Sequence, residues 1–220
     1  MHKNIKNLIY IQNQIKSKIF ENKIKDYNPN IIAISKTFKI EHILPLIEYG
    51  HIHFGENKIQ EAVDKWSEIK SKNIQIKLHM VGKLQTNKVK FAIKIFDYIH
   101  SVDNIKLAKK ISDEQKKNNK IPKVFIQINI RNESQKSGIG KSEIKNFYNY
   151  CKDLGLNVIG TMCLPPNDNK SETYFSEMKK INQELGLKEI SMGMSNDYLI
   201  AIKYHSSFLR IGSKIFGQRS

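Results

Sequence analysis

Two cysteines in 220 residues, Cys151 and Cys163, are too few for a disulfide framework and do not have the spacing of metal ligands. They fit a reduced, cytosolic setting. Long apolar runs are also missing. Near the N-terminus the longest is Leu8-Ile9-Tyr10-Ile11, too short for a membrane span or a signal-peptide core. Residues 1–20 contain no Asp or Glu, as in an organellar transit peptide, but they contain no Arg either, which argues against one. Acidic residues are scarce throughout: 21 against 37 basic ones, for a net charge of +16. Such a balance invites a nucleic-acid reading. The excess is mostly Lys, however, spread along the whole chain beside abundant Ile and Asn. Arg clusters interleaved with aromatics are absent, so no specific nucleic-acid partner is expected. No Gly-x-Gly-x-x-Gly turn follows the first strand, which removes the dinucleotide-binding signature.

What is present is an alternation of strands and helices. Residues 3–25 read as a helix with Ile5, Leu8, Ile15 and Ile19 near one stripe, broken by Asn28-Pro29-Asn30. Eight strands are predicted after it, at 31–35, 51–54, 76–81, 98–102, 124–130, 157–161, 189–192 and 207–211. Helical stretches separate them, with Asp103 and Ser195 as expected N-caps. Strands alternating with helices argue for a parallel sheet, and a count of eight favours a single (β/α)8 TIM barrel with an extra N-terminal helix over an open sheet. No linker or composition shift divides the chain. The expected organisation is one barrel domain over 1–220, with 1–28 as N-terminal helix and turn.

The first strand carries a candidate nucleophile. In Ile31-Ile32-Ala33-Ile34-Ser35-Lys36-Thr37 alternate side chains share a face, so Lys36 follows Ile32 and Ile34. Desolvation at a strand end lowers the pKa of an ammonium and frees the amine to attack a carbonyl. The structural alternative is a lysine whose tip reaches water. Barrel active sites lie at the C-terminal strand ends. Those ends supply Lys36, Glu56, Asn57, His79, Gly82, Ser101, Asp103, Asn129, Met162, the run Ser191–Ser195 and the run Arg210–Ser213. The last two runs occupy the usual phosphate position of the fold, with Gly193 and Gly212 allowing close backbone approach. His51 and His53 offer a rival chemistry. A His-x-His pair on a strand can hold a metal, as in a metal-dependent barrel hydrolase, although outward-facing histidines are the simpler expectation.

Several segments together resemble a known family. They are Ser35-Lys36-Thr37, Phe54-Gly55-Glu56-Asn57 with Gln60-Glu61, and His79 with Gly82, Leu84-Gln85, Asn87 and Lys88. The series continues with His100-Ser101-Val102-Asp103, Lys136-Ser137-Gly138, Pro165-Pro166, Ser191–Asp197, Arg210-Ile211-Gly212 and Phe216-Gly217. In this order and spacing, over residues 31–219, the sequence resembles the pyridoxal phosphate (PLP) homeostasis proteins, single-domain barrels related to the N-terminal domain of alanine racemase. Lys58, where the family often has an aromatic residue, and Cys163-Leu164 before the prolines are departures.

The resemblance implies PLP as cofactor, held as a Schiff base on Lys36. Ser195 and the backbone of Ile211, Gly212 and Ser213 would bind its phosphate. Arg210 would approach the pyridine nitrogen and Asn57 the side of the ring hydroxyl; no metal ligand is implied. An arginine at that nitrogen only donates, which leaves the nitrogen unprotonated and the ring a weak electron sink. Racemisation also needs an acid or base on each face, and a chain that ends at the barrel is expected to lack the second. The implied role is therefore a cytoplasmic, monomeric PLP carrier in PLP and amino-acid homeostasis, without strong catalysis. PLP-dependent apo-enzymes are candidate recipients. A low-activity amino-acid racemase and a Schiff-base or phosphate-sugar barrel enzyme without PLP remain as alternatives.

Overall fold

The computed structural model describes residues 1–131, 133, 137–166 and 168–218. Eight strands run through it: Asn30–Ile34 (β1), His53–Glu56 (β2), Lys77–Met80 (β3), Tyr98–Val102 (β4), Lys123–Ile128 (β5), Asn157–Cys163 (β6), Glu189–Met194 (β7) and Phe208–Ile211 (β8). Each pairs in parallel with its neighbours, and β1 pairs with β8 to close the barrel. The α-helices are Lys3–Glu21 (α1), Leu44–Glu48 (α2), Ile59–Lys72 (α3), Val89–Ile95 (α4), Ile105–Asn118 (α5), Ile144–Asp153 (α6), Ser171–Glu184 (α7), Tyr198–Lys203 (α8) and Ser213–Phe216 (α9). Among the described residues no helix is long and apolar enough to cross a membrane.

Period-two alternation divides the strand residues between two cores. Ile32 and Ile34 of β1 point into the barrel with Val81, Tyr98, Phe125, Met162 and Phe208. Ile31 and Ala33 face the helices, in the larger layer that also holds Leu78, Ile99, Ile126 and Leu209. Burial on both faces explains why β1 reads as an unbroken apolar run. Crowding inside the barrel and between strands calls for glycine at two places. A Cβ on Gly55 would lie 2.6 Å from Ile34 Cδ1, and one on Gly160 would lie 1.9 Å from the carbonyl oxygen of Glu189.

Several boundaries differ from the sequence expectation. Helix α1 stops at Glu21 rather than continuing to 25, because Lys23 and Asp26 adopt left-handed φ values of 51° and 52°. The stretch 39–49 splits into a 3₁₀ turn, Ile40–His42, and the short α2. Strand β2 begins at His53 rather than at residue 51. The N-cap of α5 is Asn104, whose side chain accepts from Leu107 N, and not Asp103. Asp197 precedes α8, so Ser195 is not a helix cap.

Candidate functional site

A cavity of about 690 Å³ opens where the C-terminal strand ends meet. Lys36 reaches it from the turn after β1. Asn57 comes from the end of β2, Ser195 follows β7, and Arg210, Gly212 and Ser213 come from β8 and its loop. Of the residues that the resemblance assigns to the cofactor, Ile211 alone does not line it. Its side chain is buried on the helix side, as alternation requires between inward Arg210 and Gly212. Phe38, Leu164, Pro165, Pro166, Asp197 and Gln218 are among the other lining residues. Phe38 and Gln218 carried no signal in the sequence, because each lies in a loop whose course only the closed barrel determines.

The turn that presents Lys36 is held from behind. Thr37 takes a left-handed φ of 68°, uncommon for a β-branched residue. Its N–H donates to Glu61 Oε1. Lys65 of α3 donates to the Ser35 carbonyl (2.9 Å), to Glu56 Oε1 (2.9 Å) and to Glu61 Oε1 (3.0 Å). Glu56 Oε1 also accepts from Ser35 Oγ (2.7 Å) and Trp66 Nε1 (3.0 Å). The residues on either side of Lys36 are therefore both fixed to one ion-paired group. Glu56, expected at the strand-end site, faces away from the cavity and is fully buried against α3.

Across the β1–β8 seam from Lys36 lies a donor-rich wall. Arg210, 4% exposed, donates from Nη1 to Ser191 Oγ (2.6 Å) and from Nη2 to the Cys163 carbonyl (2.7 Å). Burial pulls its pKa below the ordinary guanidinium value. Ser195 Oγ accepts from Gly212 N at 3.4 Å, which ties the loop after β7 to the loop after β8. Gly212 approaches Ile34, where a Cβ would sit 3.3 Å from Ile34 Cβ. The other loop glycine has a different reason. Gly193 has φ 88°, and a Cβ there would meet Ala201 at 2.6 Å, so packing against α8 rather than ligand approach requires it. Both cysteines are buried with thiols pushed up to about 12 by burial, which leaves no thiolate nucleophile.

The histidines also depart from expectation. His53 turns inward rather than outward. Its Nδ1 lies 2.9 Å from His79 Nε2, while His51 Nε2 lies 2.9 Å from the His53 carbonyl. Among the described residues no group of three metal-ligating side chains is placed to hold an ion. Burial lowers the pKa of His51 and His53 to about 4 and takes His79 and His100 well below 6.5. The unfolded chain takes up protons on these residues near pH 6.5, and the folded chain does not until pH falls much further. Stability therefore decreases as pH falls from 7 towards 5. The expected result is a urea midpoint that drops over this window, with a shallower drop in His79→Phe. A midpoint flat between pH 7 and pH 5 contradicts it.

Asn129 accepts through Oδ1 from Glu133 N (3.1 Å), in the loop after β5 beside the cavity. Lys136 of the Lys-Ser-Gly segment lies outside the described residues. Ser101 is buried with no hydrogen-bond partner for its hydroxyl among the described residues, and nothing brings it to the cavity.

Known proteins with similar sequences and folds give this geometry a context. Residues 14–220 match the family described as alanine racemase, N-terminal domain. The pyridoxal phosphate homeostasis protein of Haemophilus influenzae is 35% identical, covering 97% of this chain and 95% of its own. That of Aquifex aeolicus is 33% identical, covering 86% of each chain. The structure of PipY from Synechococcus elongatus with PLP bound superposes with a TM-score of 0.80 at 27% identity, covering 92% of this chain and 100% of PipY. An alanine racemase of Clostridium difficile shares the fold alone, with a TM-score of 0.72 at 15% identity over 57% of its length.

Proposed function

From the premise that this chain belongs to the pyridoxal phosphate homeostasis proteins, a family built on the alanine racemase N-terminal domain, we propose that it carries PLP on Lys36 and acts in PLP and amino-acid homeostasis. The observation that carries the reading is the meeting of Lys36, Arg210 and the Ser195/Gly212–Ser213 loops in one cavity. The donor set suits the cofactor. An amine on one wall suits its aldehyde, a donor-only guanidinium its ring nitrogen, and two hydroxyl-bearing loops its phosphate. Residues 1–220 then form one cofactor-binding barrel domain.

Bound there, PLP supplies an aldehyde that condenses with amines and a ring that draws electrons from the carbon next to the amine. The remaining chemistry belongs to the chain. Lys36 Nζ would hold the aldehyde carbon through a reversible carbon–nitrogen link, the aldehyde oxygen leaving as water. Asn57 offers its amide to the ring hydroxyl. Arg210 holds the ring nitrogen by donation without giving up a proton, which keeps electron withdrawal weak and suits carriage better than turnover. Free PLP in the cytoplasm, a monomeric protein and delivery to PLP-dependent apo-enzymes complete the proposal.

Its test is direct. The protein is mixed with PLP, dialysed, scanned for absorption, reduced with borohydride and mapped by peptide mass. A retained visible band and a reduced pyridoxyl label on Lys36 are expected. A colourless dialysed protein, or a label spread over surface lysines, overturns the reading and leaves the cavity to another phosphate ligand.

A further inference from the structure

Arg210 is the first member of a hydrogen-bonded file that runs down inside the barrel. Its Nη1 meets Ser191 Oγ at 2.6 Å, and Ser191 Oγ meets His100 Nδ1 at 2.9 Å. His100 Nε2 meets His79 Nδ1 at 2.9 Å, and His79 Nε2 meets His53 Nδ1 at 2.9 Å. Five residues from β8, β7, β4, β3 and β2 thus form a single line. Ser191, His79 and His100 are fully buried, and His53 is partly exposed at the start of β2. The rings are also held by stacking, His79 on Tyr98 at 4.2 Å and His100 on Phe125 at 4.3 Å.

Donor accounting fixes the direction of the file. A guanidinium can only donate, so Ser191 Oγ accepts from Arg210. Among the described residues the serine hydroxyl has one other partner, His100 Nδ1, and a buried O–H left unpaired is costly. Ser191 therefore donates to His100 Nδ1. That nitrogen is then bare, and the proton of a neutral His100 sits on Nε2, pointing at His79 Nδ1. The same step repeats to His53. All three imidazoles become neutral Nε2–H tautomers, and every hydrogen points away from the cavity. Burial keeps them neutral, with Lys77 and Lys123 facing His53 and outweighing Asp97.

We propose that Ser191, His100 and His79, ending on His53, are positioning residues for Arg210: the file on Nη1, acting with the Cys163 carbonyl on Nη2, fixes the rotation of the guanidinium, and so which of its remaining N–H groups reach the cavity. The proposal deepens the PLP reading and rests on it for what Arg210 faces, but the hydrogen order itself does not depend on any ligand.

Two measurements test it, and they fail separately. The first is long-range ¹H–¹⁵N correlation on the ligand-free full chain with labelled histidine, assigned through His→Phe variants. Nε2–H patterns are expected for His53, His79 and His100 at pH 7, and an Nδ1–H pattern for His79 or His100 overturns the file whatever the protein binds. The second is PLP titration of Ser191→Ala and His100→Phe, the latter keeping a ring to stack on Phe125. An affinity about tenfold weaker, with a shifted absorption band and a displaced pH midpoint, is expected. Serine returned as Ser191→Thr recovers most of it. If Ser191→Ala does not fold, His79→Phe carries the same test from two partners away, with a smaller shift in the same direction. Variants with the parent's spectrum and affinity overturn the positioning role. Failure of the parent itself to bind PLP sinks the functional reading and leaves the tautomer result to decide the file.

Discussion

Lys36→Ala is expected to lose the borohydride-stable label entirely and to release PLP on dialysis, with affinity lower by about hundredfold, roughly 2.7 kcal/mol. The loss is large because the covalent link is the one interaction that the phosphate and ring contacts cannot replace. Ser195→Ala removes one neutral hydroxyl and should cost about 1 kcal/mol, a few-fold in affinity. The contrast between the two decides whether Lys36 is the anchor or one contact among several. Lys36 sits half-buried in a turn, so thermal stability should stay near that of the parent. Equal retention of PLP by Lys36→Ala, measured by absorption after dialysis, would remove the lysine from the site.

The largest stability effect is expected at Lys65→Met. Lys65 is the ammonium paired with Glu56, whose side chain is fully buried and whose Oε2 has no hydrogen-bond partner among the described residues. Removing the ammonium leaves a carboxylate buried with only Ser35 Oγ and Trp66 Nε1 on its other oxygen. Breaking such a pair from one side costs about 3–5 kcal/mol, a large part of a total stability of about 5–15 kcal/mol. The double variant Glu56→Gln/Lys65→Met removes both charges and should recover a good part of the loss. Chemical denaturation of the three proteins measures the coupling. A single variant as stable as the double one would mean that water reaches Glu56. Because the same group fixes Ser35 and Thr37, Lys65→Met should also weaken PLP retention without touching the cavity wall.

The parts of this molecule legible in the sequence are those set by local period. β4 falls at Tyr98–Val102 as expected, and β1 differs by a single residue at each end, because short segments rich in β-branched and aromatic residues between turn-forming ones leave little choice. Lys36, Asn57, Arg210, Gly212 and Ser213 were readable because strand ends in a parallel barrel all open on one rim. Side-chain parity was harder to read. Glu56 and His53 lie on opposite faces of β2, three residues apart, and a misplaced strand start exchanges their roles. The caps were missed for a related reason. Asp103 and Asn104 are both good caps, and one residue of helix phase decides between them. The histidine file was out of reach. Each imidazole belongs to a different strand, and the stagger that aligns them belongs to the closed sheet.

Closure itself has a consequence for how the molecule comes into being. The pairing of Asn30–Ala33 with Phe208–Ile211 joins the first strand to the last, and the stacked rings of Phe38 and Phe216, 4.9 Å apart, fasten the loops above that join. Lys36 stands on one side of this seam and Arg210–Ser213 on the other. A nascent chain has no cavity until its final strand emerges and docks, and a barrel that loosens at the seam loses its binding site before it loses its sheet. A ligand touching both sides acts as a clasp on the join between the two ends of the chain, so cofactor supply and the lifetime of the folded protein rise and fall together.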